Sequence, residues 1–114
     1  MNSKQIGDYG EDLAERFLLE KGYLILERNY RKNTGEIDII SAENDTLVFI
    51  EVKTRKNDDF IYAREAVNLK KQQRIRNTAK KYIFEKKCYY EYIRFDVIEI
   101  YTQKKLINHF EDAF

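Results

Sequence analysis

Leu47-Val48-Phe49-Ile50-Glu51-Val52-Lys53 is the stretch whose reading decides the fold. Its β-branched and aromatic density predicts a strand. Side chains alternate along a strand, so Leu47, Phe49, Glu51 and Lys53 share one face while Val48, Ile50 and Val52 share the other. Both faces are apolar as far as Glu51, which predicts cover on both sides.

Just upstream, Gly35-Glu36-Ile37-Asp38-Ile39-Ile40 predicts a partner strand, joined through the turn-forming Ser41-Ala42-Glu43-Asn44-Asp45. In the expected hairpin a four-residue loop over 42–45 sets Asp38 against Phe49 and puts it on the Glu51 face. The two carboxylates are then diagonal neighbours, about 7 to 8 Å apart at the backbone, and a one-pair shift brings them opposite. Two such charges at ~4 Å repel by several kcal/mol if the effective dielectric is ~20. A divalent cation would offset that repulsion. Hard oxygen ligands on a partly hydrated ion are the magnesium or manganese pattern, with Lys53 placed to orient or deprotonate a water. The residues alone fit equally an edge salt bridge between Lys53 and either carboxylate.

On the C-terminal side, Thr54 to Glu65 is polar and then without a clean period, which predicts a mobile loop. Its Arg55, Lys56 and Arg64 are suited to closing over a polyanion. Asn68 is the expected N-cap of a helix running to about Phe84, with the stripe Ile75, Ala79, Tyr82 and Ile83. Between Asn68 and Lys87 eight basic residues face one acid, a local charge of +7 in a chain whose net charge is +1. Lys70 and Lys71 fall in the first turn, where cations oppose the helix dipole unless that turn meets an anion. With Arg74 they are candidate nucleic-acid contacts, and the plainer account is a solvated basic face. Tyr92 to Ile100 predicts another strand, with a short last one near Leu106-Ile107. Arg94 and Asp96 have the spacing of a structural ion pair, and His109 stands isolated and is not expected to ligate metal.

On the N-terminal side, Ile6, Gly10, Leu13, Ala14, Phe17 and Leu18 recur at helical spacing, predicting a helix from about Ser3, its N-cap, to Glu20. Glu11 lies on the rim of its buried face. Gly22 suits the left-handed position that ends the helix. Tyr23 to Asn29 predicts the first strand, and Arg28-Asn29-Tyr30-Arg31-Lys32 a basic, aromatic connection. Arg28 and Arg31 there are candidates for touching a phosphate backbone, though such a loop is more often merely solvated.

The element order, with apolar residues on both strand faces, predicts an α/β fold with a mixed central sheet flanked by helices. At 114 residues it is expected to form a single domain over 1–114. An apolar content of 43% and an aromatic content of 14% exclude a disordered chain. The lone Cys88 excludes an internal disulfide and, without clustered His, a zinc site. No apolar segment long enough for a signal peptide or membrane span occurs, so the expectation is a cytoplasmic protein without a membrane partner.

At Gly35-Glu36-Ile37-Asp38 and Glu51-Val52-Lys53 the chain resembles the PD-(D/E)XK nuclease superfamily. Over nearly its whole length it resembles the YraN family of small bacterial proteins within it. That resemblance rests on Gly10-Glu11, Ala14, Gly22-Tyr23, Arg28-Asn29, Gly35 to Ile40, Phe49 to Lys53, Ala66-Val67, Arg94 to Val97 and Ala113-Phe114. It implies an αβββαβ, restriction-endonuclease-like core in which Asp38 and Glu51 bind Mg2+ or Mn2+. It further implies that the main-chain carbonyl of Val52 completes the coordination and that Lys53 positions the attacking water. Glu11 matches the first-helix glutamate of archaeal Holliday-junction resolvases, which makes it an outer ligand, and Glu36, on the Asp38 face, is an additional candidate. Ile37 departs from the proline in the superfamily's name. The implied activity is that of a metal-dependent endonuclease on nucleic acid, structured or branched DNA ahead of RNA, for which a homodimer would suit a symmetric junction. The alternative is a nucleic-acid-binding or adaptor protein that keeps the fold without turnover.

Overall fold

A computed structural model describes residues 1–56 and 67–114. The element order is α1 (Ser3–Glu20), β1 (Leu24–Lys32), β2 (Gly35–Glu43), β3 (Thr46–Arg55), α2 (Leu69–Lys86), β4 (Tyr92–Tyr101) and β5 (Leu106–Phe110). The strands form one sheet in the order β1-β2-β3-β4-β5. Among the described strands only β3 and β4 run parallel. A parallel pair needs a crossover connection, and α2 lies within it. This is the expected αβββαβ core with β5 added at one edge.

The apolar faces of β3 explain the two layers. Val48 and Ile50 pack with Ala14 and Leu18 of α1, whereas Leu47 and Phe49 pack with Ile75, Ala79 and Tyr82 of α2. Helix α1 is capped by Asn2, one residue before the expected Ser3, in a capping box with Gln5. Gly22 takes the expected left-handed backbone, φ 90°.

Three expectations about the strands are corrected. The hairpin turn is Asn44-Asp45 alone, because Asn44 accepts a left-handed φ of 53° and Glu43 pairs directly with Thr46. Ser41 stays in the sheet, its hydroxyl donating to the Val48 carbonyl. The ladder therefore runs Ile40↔Phe49 and Ile39↔Ile50, one pair away from the four-residue-loop register. Second, β1 continues through Lys32, so Arg28 to Lys32 are strand residues rather than a connection. Third, Thr54 and Arg55 finish β3 as the β4 partners of Ile100 and Tyr101. The rest of the expected mobile loop from residue 57 on, Arg64 included, lies outside the described residues.

The Arg94–Asp96 ion pair is present at 2.9 Å, and Asp96 is fully buried. His109 is not isolated. Its Nε2 lies 2.7 Å from Asp96 and its Nδ1 2.9 Å from the Lys21 ammonium. No helix among the described residues is long and apolar enough to cross a membrane.

Two glycines set how closely the helices approach the sheet. A Cβ on Gly10 would fall inside contact distance of Thr54 on β3. Gly35, at φ 152°, lies where a Cβ would meet the Cβ of Arg74 and the hydroxyl of Thr78 on α2, each at 3.3 Å. Gly10→Ala is therefore expected to destabilise by about 1–3 kcal/mol through overpacking. Gly7→Ala on the same helix, with nothing within 4 Å of the new methyl, is expected to stabilise by up to about 1 kcal/mol. Urea unfolding of the two variants checks the difference in sign.

Candidate metal centre

The β2–β3 ladder ends at Ile39↔Ile50, while β3 continues beside β4. Beyond that point the Asp38 carboxylate takes the place of a ladder partner and accepts the Val52 N–H at 2.8 Å. In a strand the N–H and C=O of one residue face the same neighbour, so the Val52 carbonyl faces the side that β2 has left. Glu51, whose side chain is only 6% exposed, stands next to it on the α2 face.

A cleft of about 350 Å³ opens here, with Glu36, Asp38 and Glu51 on one side and Lys70, Lys71 and Arg74 of α2 on the other. Gly35 and Asn68 complete the lining. Asn68 also caps α2, accepting the Lys71 N–H at 2.9 Å. Acidic floor and basic wall thus face each other across one cavity.

Burial first, and the Glu51 charge second, push the Asp38 carboxyl up to about 8, against the opposing Val52 hydrogen bond. Glu11 adds a smaller push in the same direction, which places it within electrostatic reach. Glu51 carries its own counter-ions. Lys71 Nζ lies 2.5 Å from Glu51 Oε1, and Lys53 Nζ lies 3.5 Å from the same oxygen. Burial lowers the Lys53 amine below its ordinary value; Glu51 opposes that shift and Lys71 adds to it. Burial pulls the Lys71 amine down, but its hydrogen bond to Glu51 and the charges of Glu51 and Asp38 together outweigh that and leave it raised.

The remaining candidate residues divide by location. Glu11 lies on the α1 side and is turned to Arg28, Oε1 to Nη2 at 3.3 Å, with its carboxyl raised chiefly by burial against that pairing. Arg28 also meets Asp12 and Glu15, so it ties β1 to α1. Arg31 is exposed and pairs with Glu36 at 3.1 Å. Arg55 is 15% exposed and pairs with the buried Glu99 at 3.2 Å. Lys70, Lys71 and Arg74 alone among the six candidate cations line the cleft. Asn68 is the expected cap of α2, but its place in the cleft lining and the Lys71–Glu51 contact were missed by sequence reasoning. The available signal was a first helical turn with cations and no acid.

Among the described residues no three Asp, Glu, His or Cys side chains gather into a ready metal cluster. The oxygens that would hold a cation are instead those of two carboxylates, Asp38 and Glu51, with the strand carbonyl of Val52 beside them. Two features fit a divalent cation. The floor is made of hard oxygens, and an ammonium group already stands on Glu51 in a cation's place.

An αβββαβ core with Asp38 and the Glu51-Val52-Lys53 triplet where β2 and β3 part has the layout of a PD-(D/E)XK-type protein. The chain belongs to the uncharacterised protein family UPF0102, which it matches over residues 10–100, in agreement with the YraN-like resemblance. It is 48% identical to a UPF0102 protein of Clostridioides difficile (strain 630) over the full length of both. A UPF0102 protein of Clostridium perfringens (strain ATCC 13124) is 47% identical, with 98% of this chain and 95% of the relative covered. One from Dictyoglomus thermophilum is 50% identical, over 91% of this chain and 88% of the relative.

The Asp38 shift has a consequence for stability in the absence of metal. Its folded value of about 8 lies above the ordinary 3.8, so the folded state holds the proton more tightly. Stability then falls as pH rises from about 4 to 8. Asp38→Asn should match wild type near pH 4 and exceed it by on the order of 1 kcal/mol or more at pH 8. Urea unfolding across that range tests the sign.

Proposed function

We propose that this protein is a metal-dependent endonuclease that hydrolyses phosphodiester bonds in nucleic acid, with structured or branched DNA ahead of RNA. The observation that carries the reading is the pairing in one cleft of a buried carboxylate, Glu51, and a half-buried one, Asp38, which repel each other, with a basic wall. Asp38 and Glu51 would hold Mg2+ or Mn2+, with the Val52 carbonyl as a third oxygen. When bound, the cation supplies charge neutralisation and Lewis-acid polarisation of a phosphate oxygen.

The other steps belong to the chain's own groups. Lys53 lies two residues beyond Glu51 on the same strand face and, with its amine pulled down by burial, is suited to orient a water and share its proton. Attack of that water on phosphorus forms one P–O bond as the bond to the leaving sugar oxygen breaks. Lys70 and Arg74 stand where they would hold the phosphates on either side by charge. Glu11 acts at a distance in this scheme, through its charge on Asp38.

One observation favours the second reading, a nucleic-acid-binding or adaptor protein without turnover. Lys71 already neutralises Glu51, so the acidic pair is tolerable without a metal.

Incubation of wild type and Asp38→Asn with branched DNA, linear DNA and structured RNA in Mn2+ or Mg2+ separates the two. The nuclease reading expects cleavage by wild type and its loss in Asp38→Asn, which stays folded. Cleavage retained by the variant would refute the site, and binding without any cleavage would favour the adaptor. Replacing Lys70 and Arg74 by Met should flatten the salt dependence of DNA binding by about 0.9 in slope for each phosphate that the wall no longer neutralises. An unchanged slope would reduce the basic wall to a solvated helix face.

A further inference from the structure

The Glu51 carboxylate is nearly buried, yet it is met by two ammonium groups on a single oxygen, Oε1, and the nearer comes from another element. Lys53 belongs to the same strand as Glu51. Lys71 reaches over from the first turn of α2, a turn without an acidic residue, in which its charge opposes the helix dipole. Its side chain remains 42% exposed at the mouth of the cleft, next to Lys70 and Arg74. A flexible four-carbon stem lets such an ammonium leave one oxygen for another without moving the helix.

We propose that Lys71 is a built-in counter-ion that a divalent cation must displace from Glu51, and that the displaced ammonium then becomes a ligand for a nucleic-acid phosphate. This rests on the reading of Asp38 and Glu51 as the metal site. A divalent ion and an ammonium cannot share Glu51 Oε1 without strong like-charge repulsion at contact distance. Metal entry therefore sends Lys71 to the wall where Lys70 and Arg74 stand. Phosphate there stabilises the released lysine, and linkage makes the effect reciprocal: metal strengthens phosphate binding and phosphate strengthens metal binding. Lys71 thus couples the acidic floor to the basic wall. In the metal-free protein it also limits the repulsion between Asp38 and Glu51.

Calorimetric titration of Mn2+ into the full chain tests this, with the fold of each variant checked by circular dichroism. Lys71→Met and Lys71→Gln should bind Mn2+ about tenfold more tightly than wild type, a gain of about 1.4 kcal/mol, whereas Lys71→Arg should stay near wild type. A short phosphorothioate-linked DNA duplex should tighten Mn2+ binding by wild type several-fold and leave the two neutral variants unchanged. Equal or weaker Mn2+ binding by both neutral variants, with binding still lost in Asp38→Asn, overturns the counter-ion role and leaves the metal site standing. Absence of Asp38-dependent Mn2+ binding in every variant removes the metal site and the counter-ion role together.

Discussion

Where β2 parts from β3, two carboxylates share a partly dry corner of the sheet, and their repulsion is the constraint that the neighbouring structure answers. Asp38 is steadied by the Val52 N–H and held largely protonated at neutral pH by burial and by Glu51. Glu51 is steadied by Lys71 and Lys53. Each carboxyl is therefore compensated by a different means, one by a proton and the other by an ammonium. A largely desolvated acidic pair without such partners would cost several kcal/mol in a fold whose whole margin is about 5–15 kcal/mol.

The fold supplies this corner through close approaches. Gly10 lets α1 come against Thr54 on the strand that carries Glu51 and Lys53, and Glu11 follows next in sequence. Arg28 then fastens β1 to α1 through three carboxylates, which turns Glu11 partly away from the cleft. On the other face, Gly35 lets Arg74 and Thr78 of α2 approach the start of β2. That approach brings the basic first turn of α2 over the acidic floor. At the other side of the sheet, Arg94, Asp96 and His109 join β4 to β5, and the Ala113 N–H donates to the Phe95 carbonyl, so the strand beside β3 is well anchored.

Much of this was legible in the sequence because the signals are local. The helix period of α1, the apolar density of β3 and the carboxylates at Asp38 and Glu51 each follow from a few neighbouring residues. The hairpin register was not legible to the same degree. The mainly polar stretch Ser41 to Asp45 fits a four-residue loop as well as the two-residue turn that Asn44 makes possible by its left-handed backbone. Nor was the length of β1, because Arg28, Arg31 and Lys32 read as a solvated connection until their carboxylate partners on α1, β2 and α2 are known. The Lys71–Glu51 contact was furthest from view. It depends on where α2 lands on the sheet, and that is fixed by Gly35, far from Lys71 along the chain. Placed against the helix dipole, Lys71 calls for an anion, and in this structure that anion is Glu51.

The most direct test of the account is crystallographic: crystals of the full chain grown with Mn2+, with the ion located by its anomalous scattering. The expected result is an anomalous peak at the Asp38 and Glu51 carboxylates, with Lys71 withdrawn from Glu51 Oε1. An empty Asp38–Glu51 corner at millimolar Mn2+, with Lys71 still on Glu51, would contradict it.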